Sequence, residues 1–285
     1  MTKISKITAG AIGLAFSLII AGIFLAVNSE ADPKTDKKDF YGGTEETKSK
    51  TGFPVSSNFG HVILKDGIPE QIKEYTGFTV SFNKDNHTPN YVAWELRADE
   101  IYGNVKRANL FWQDLDIDGC PDQSAYKHSG YDRGHMCPSA EQKWSPQAMN
   151  DCFVMTNICP QKNDLNANAW ETLENKERQW AKRDGSIWII AGPIYKDTDT
   201  ERIGDYGVRV PGAFFKAFLA YDVLQPRAIA FVYPNMLSPG NMQNYAMSID
   251  DLEELTGYDF FSALPDEIEN KIEAVFSFTE WNRSR

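Results

Sequence analysis

Hydrophobic and polar positions divide the chain into three stretches. Residues 7–27 form a run without a single charge, and Lys3 and Lys6 precede it. A positive start before an apolar run reads as an export signal, and its length approaches the ~20 residues that span a bilayer. Both a cleaved signal peptide and an uncleaved N-terminal membrane anchor fit residues 1–27. Lysines on the starting side predict that the bulk of the chain lies outside the cytoplasm. The expected location is therefore extracytoplasmic: secreted, periplasmic, or held to the membrane by this segment. Residues 28–57 are rich in Lys, Asp, Glu, Thr, Ser and Gly without apolar periodicity, and are expected to form a polar linker. Residues 58–285 are expected to fold as a single domain.

Within that domain the pattern predicts mainly strands. Residues 61–64, 74–82 and 90–96 place aromatic and β-branched residues between turn formers. A loop-rich stretch, 99–131, follows. Residues 168–183 read as a helix capped by Asn166 or Asn168 and stopped by Gly185. Strands are expected at 186–190, 212–221 and 227–233. A second helix is expected from Ser248 through Leu255, ended by Gly257. Strands that cluster without βαβ alternation point to an α+β fold.

Composition supports a packed domain: 42% of residues are hydrophobic and 13% aromatic. The net charge of −11 argues against tight, stable DNA binding, which leaves a basic footprint. It does not exclude an enzyme that acts on phosphate through a few local cations and releases its product. Cys120, Cys137, Cys152 and Cys159 permit one or two disulfides, with three full pairings open. Cys137, Cys152 and Cys159 near His135 also raise a zinc site, but no paired C-x-x-C motif supports it.

Chemistry concentrates in two blocks. The first is Tyr131-Asp132-Arg133-Gly134-His135-Met136. The second runs from Thr156-Asn157-Ile158-Cys159-Pro160-Gln161 to Asn166, Trp170, Glu174 and Arg178. The last four are spaced by four, so on a helix they would form one slowly drifting stripe. That stripe holds an amide, a carboxylate and a guanidinium: a polar face with room for an ion, or a solvated surface.

Asp132-Arg133-Gly134-His135 resembles the signature of the DNA/RNA non-specific endonucleases. The second block resembles that family's second motif, spacing included, and Ala191-Gly192-Pro193 resembles the end of its following strand. Arg107 and Asp114 are a looser match upstream. The resemblance spans residues 60–255. It implies a ββα-metal nuclease fold, with a central, mainly antiparallel sheet flanked by helices.

The implied activity is metal-dependent hydrolysis of phosphodiester bonds in DNA and RNA without sequence preference, leaving 5′-phosphate and 3′-hydroxyl ends. His135 would be the general base. Asn166 would be the protein ligand of Mg²⁺, with Mn²⁺ as a substitute, and Glu174 would support the ion from outside its direct ligands. Arg178 and Arg107 would hold phosphate, while Arg133 would contact phosphate or structure its loop. Asn157 would orient the site by fixing His135. Asp132 reads as structural, and Gly134 as the tight turn that exposes His135.

The implied partners are DNA and RNA as substrates, the membrane through an uncleaved N-terminal segment, a second copy in a homodimer, and an inhibitor or immunity protein. Two other readings compete. One is a phosphodiesterase for smaller nucleotides. The other is a catalytically silent envelope protein that binds nucleic acid or a partner.

Overall fold

The computed structural model describes residues 59–236 and 240–283, together with the backbone of two short strands, Thr47–Lys48 and Pro54–Val55. These pair antiparallel inside the stretch expected to be a linker. The N-terminal apolar run lies outside the described residues. Among the described residues no helix is long and apolar enough to cross a membrane.

Besides that ribbon and a second one, Arg202–Ile203 with Val208–Arg209, the strands are β1 (Gln71–Tyr75), β2 (Phe78–Asn83), β3 (Thr88–Arg97), β4 (Asp132–His135), β5 (Ile158–Gln161), β6 (Ser186–Ile194), β7 (Ala213–Ala220), β8 (Arg227–Pro234) and β9 (Ala246–Met247). Seven of them form one sheet in the order β9-β8-β7-β6-β3-β2-β1. Every neighbouring pair in it is antiparallel. β4 and β5 make a separate antiparallel pair in which His135 faces Ile158. The helices are α1 (Pro146–Asp151), α2 (Glu171–Asp184), α3 (Ile249–Thr256), α4 (Asp266–Ile272) and α5 (Phe278–Trp281). The fold is α+β, as the pattern predicts.

Period-two alternation gives the sheet two apolar faces, and each collects its own layer. On β7, Phe214 and Phe218 join the core that includes Leu173, Trp180 and Ala181 of α2. Phe215, Ala217 and Leu219 join the core on the other face, with Ile249 and Leu252 of α3 and Ile268 and Ile272 of α4. Trp180 meets Phe218 edge-on at 5.2 Å and Trp281 of α5 at 4.9 Å, so the C-terminal helix seals the end of the first core.

Three local expectations need correction. The stretch 74–82 is a hairpin and not one strand, because Gly77 at φ 92° turns the chain between Tyr75 and Phe78. The strand expected at 61–64 reduces to a single bridge, Ile63 to Asp259. The helix expected from 168 is regular only from Glu171, and Leu165–Trp170 is a π-helical turn ahead of it. The stops are as expected, and so is the Ser248 cap: Gly185 ends α2 at φ 96°, while Ser248 and Asp251 form a capping box on α3 and Gly257 closes it in the left-handed region. Neither Asn166 nor Asn168 caps α2, because both lie inside the π turn and Trp170 takes the N-cap position without a side-chain bond.

Candidate active site

His135 ends β4 and is 8% exposed. Its ring lies against Phe153 (4.9 Å between centroids) and Phe111 (5.5 Å). Beyond those rings lie two guanidiniums, Arg107 over Phe153 at 5.0 Å and Arg133 over Phe111 at 4.3 Å. Burial, then the charges of Arg107 and Arg133, push the imidazole down to about 3. His135 is therefore neutral at physiological pH, and its Nε2 is buried without a hydrogen-bond partner. A neutral imidazole with an unused nitrogen can accept a proton.

The backbone around His135 is clamped from both sides. The Trp170 indole donates to the His135 carbonyl at 3.1 Å. Asn157 is fully buried: its Oδ1 accepts from Cys137 N (2.9 Å), and its Nδ2 donates to the carbonyls of Cys137 (2.9 Å) and Cys152 (2.8 Å). The Asn157 side chain thus holds the chain two residues past His135 and does not bond the imidazole. Gly134 also acts otherwise than expected. It lies in an extended strand and is absent from the positive-φ glycines, and a Cβ on it would run into the Gln161 side chain. Its smallness admits β5, and no turn is involved.

Asn166 sits on the π turn, half-buried. π turns are rare and concentrate at functional sites. Its Nδ2 donates to Asp132 Oδ2 at 3.0 Å, and Asn163 donates to the same oxygen at 2.9 Å. With Nδ2 so engaged, Oδ1 of Asn166 is left as the amide's acceptor. The expected stripe is split: Glu174 and Arg178 follow one another down α2, whereas Asn166 and Trp170 belong to the wider turn ahead of it.

Below α2 lies a buried charge cluster that the motifs did not reveal. Lys216 of β7 is fully buried, and its Nζ donates to both carboxylate oxygens of Glu177, each at 3.0 Å. Burial alone would lower Lys216, but Glu177, Glu174 and Glu141 outweigh it and hold the amine charged. Glu141, also fully buried, accepts from Trp94 Nε1 (2.8 Å) and faces Arg178 at 3.5 Å. Burial pushes Glu174 up to about 7 against the pull of Lys216 and Arg178. The signal for Lys216 was present in the sequence as one lysine inside Phe-Phe-Lys-Ala-Phe-Leu.

An open cleft of about 620 Å³ has Asp132, Arg133 and Asn166 on its wall, with Lys127, Gln123 and Ser124 also lining it. Phe111 lines the cleft too and touches His135. Arg133, Lys127 and the nearby Arg107 give this region local positive charge despite the acidic whole.

All four cysteines are free thiols and buried, so they form no disulfide, and among the described residues none of them belongs to a group placed to hold a metal. Burial pushes Cys120 and Cys152 each up to about 12, which makes them inert core residues. Among the described residues, the His/Cys/Asp/Glu group able to hold a metal is Asp250, Glu253 and Glu273, away from His135.

Two antiparallel strands followed by a helix thus carry the histidine and the asparagine. The family model for the DNA/RNA non-specific endonucleases matches residues 56–267. The chain belongs to the DNA/RNA non-specific endonuclease family. It is accordingly an enzyme that hydrolyses phosphodiester bonds of DNA and RNA without sequence preference, in a family of metal-dependent nucleases. A zebrafish protein named mitochondrial nuclease EXOG is 31% identical over 247 residues, covering 77% of this chain and 69% of its own. A nuclease of Nostoc sp. is 32% identical over 216 residues, covering 69% and 75%. Among solved structures, endonuclease G in complex with EndoGI matches this nuclease with a TM-score of 0.64 and 26% identity, over 69% of this chain and 88% of that one. The fold is the ββα-metal nuclease fold, with β4, β5 and α2 as its ββα element.

The relatives also correct the expected location. Those from zebrafish, fission yeast, budding yeast and cattle are named as mitochondrial, which overturns the extracytoplasmic expectation. That expectation treated an apolar run as an address. Apolar length measures affinity for a bilayer and does not say which bilayer.

Proposed function

We propose that this endonuclease hydrolyses its substrate with His135 as general base and Asn166 as the protein ligand of Mg²⁺, with Mn²⁺ able to substitute. The observation that supports this is the Asp132–Asn166 hydrogen bond, which engages the amide nitrogen and leaves Oδ1 as the acceptor of a cleft-wall residue, while Phe111 of the same wall contacts the neutral imidazole. The donor set is oxygen, which suits a hard divalent cation that keeps most of its waters. When bound, that ion would neutralise charge on the phosphate and help the leaving oxygen depart.

The chain's own residues do the rest. His135 takes a proton from water as its oxygen attacks phosphorus. Arg107 and Arg133 hold the phosphate, and Arg178 stabilises its developing charge. The bond to the 3′ oxygen breaks, leaving a 5′-phosphate. A phosphate between Arg107 and Arg133 would offset the two charges that, after burial, hold protons off His135. Glu174, perturbed by burial, supports the ion from outside its direct ligands. Asn157 is a positioning residue. Contacts to phosphate and sugar alone carry no base information, which accounts for the lack of sequence preference.

Two further parts belong to the same reading. Residues 58–285 are the nuclease domain behind a linker. An inhibitor protein is a natural partner class, since the structural neighbour was solved with EndoGI.

The test incubates the full chain with supercoiled plasmid and with RNA, in Mg²⁺ and in EDTA, beside His135→Ala and Asn166→Ala. Both polymers should be degraded only with metal, and each variant should lose activity by orders of magnitude while staying folded. Intact polymers after incubation with folded wild-type protein in Mg²⁺ or Mn²⁺ would overturn the proposal.

A further inference from the structure

On the sheet face opposite α2, the end of α4 meets the start of α3. The main-chain carbonyl of Glu273 accepts from Ile249 N (3.1 Å) and Asp250 N (3.2 Å), which fixes the two helix ends against each other. Carboxylate oxygens of Asp250, Glu253 and Glu273 converge there, all within 4.8 Å of one another. Asp250 is exposed and Glu253 half-buried, whereas Glu273 is only 3% exposed.

The three carboxylates differ in how they are satisfied. Glu253 Oε1 accepts from Phe260 N at 2.8 Å. Glu273 Oε1 is buried with no hydrogen-bond partner. Among the described residues none of the three forms a salt bridge. The other charges acting on Glu273 are those of Glu269 and Asp259, also carboxylates. A buried carboxylate without a donor or a counter-charge is costly unless it is neutralised.

We infer that Asp250, Glu253 and Glu273 form a second divalent-cation site, for Ca²⁺, distinct from the one proposed at Asn166. Three carboxylates offer up to six oxygens, and Ca²⁺ accepts six to eight in irregular geometry, whereas Mg²⁺ demands a regular octahedron. The all-oxygen set disfavours zinc. Glu273 lies beyond residues 56–267, the part of the chain that the family model matches. The site staples α3 to α4 and takes no part in cleavage. Without an ion, burial and then the neighbouring carboxylates push Glu273 up to about 9, so the alternative is a carboxyl that simply keeps its proton.

Equilibrium dialysis of the EDTA-stripped full chain against Ca²⁺, paired with melting curves in Ca²⁺ and in Mg²⁺, tests this. Wild type and Asn166→Ala should both bind an ion that Asp250→Asn and Glu273→Gln lose. Ca²⁺ should raise the melting temperature of the first two, in a concentration-dependent way, and of neither carboxylate variant. Cleavage by Asp250→Asn in Mg²⁺ should match wild type. Equal Ca²⁺ uptake in all four proteins, uptake lost only in Asn166→Ala, or no uptake at millimolar Ca²⁺ would each overturn the site. Mg²⁺ stabilising as strongly as Ca²⁺ through the same carboxylates would overturn the choice of ion. Should Glu273→Gln fail to fold, the exposed Asp250→Asn decides the question.

Discussion

Asp132 Oδ2 accepts a hydrogen bond from Asn166 Nδ2 at 3.0 Å, across the gap between β4 and the π turn that precedes α2. An amide held by its nitrogen cannot swing its oxygen away from the cleft. Asp132→Ala should therefore raise the Mg²⁺ concentration needed for half-maximal cleavage by roughly 10–100-fold, the usual effect of losing a ligand's supporting partner. The rate at saturating Mg²⁺ should fall less. A Mg²⁺ titration of the cleavage rate reads this directly, and an unchanged midpoint would remove Asp132 from metal binding.

His135 makes stability depend on pH. Its folded value, about 3, lies below the 6.5 of an unfolded histidine. Between these values the unfolded chain binds the extra proton, so this contribution is fully present above pH 6.5 and is lost as pH falls toward 3. The slope due to this group is at most about 1.4 kcal/mol per pH unit. Urea melts at pH 7.5 and 5 should show a smaller loss in His135→Gln than in wild type.

Lys216 and Glu177 form an ion pair with both side chains fully buried. Lys216→Met leaves Glu177 buried without its cation and should destabilise by about 3–5 kcal/mol. Adding Glu177→Leu should recover most of that loss, because an apolar pair of similar volume needs no desolvation. Thermal melts of the two variants decide it, and additive losses in the double variant would contradict it.

Asn157→Ala removes two side-chain hydrogen bonds to Cys137, in the segment after His135, and one to the Cys152 carbonyl. Each buried backbone group left unpaired costs about 1–3 kcal/mol. The melting temperature should drop, and cleavage by protein that is still folded should fall chiefly in kcat, since phosphate contacts remain. A rise in KM alone, with kcat intact, would mean that the clamp does not position His135.

Gly134→Ala should destabilise because its Cβ meets the Gln161 side chain, and the double variant Gly134→Ala, Gln161→Ala should be more stable than the single one. If the strain were instead in the backbone torsion, shortening Gln161 would bring no recovery.

Sequence alone determined the family, because Asp-Arg-Gly-His and the Asn-Ile-Cys-Pro-Gln block are runs whose spacing survives without a fold. It also determined most sheet strands, the C-terminal end of α2 and both ends of α3, since Gly185, Ser248 and Gly257 act locally. Gly77 was the missed local signal that split one strand into a hairpin.

Only tertiary structure decided what surrounds each motif residue. Phe111, Phe153, Arg107 and Arg133 meet at His135 from three separate segments, and their burial and charge set its protonation. The π turn separates Asn166 from the stripe that regular helical spacing would give. Lys216 reaches Glu177, Glu174 and Glu141 across 39 residues or more. Local patterns record what a residue does to its own backbone. Which distant charges and rings it meets depends on how the sheet and helices pack, and that packing sets the pKa values and orientations on which the chemistry rests.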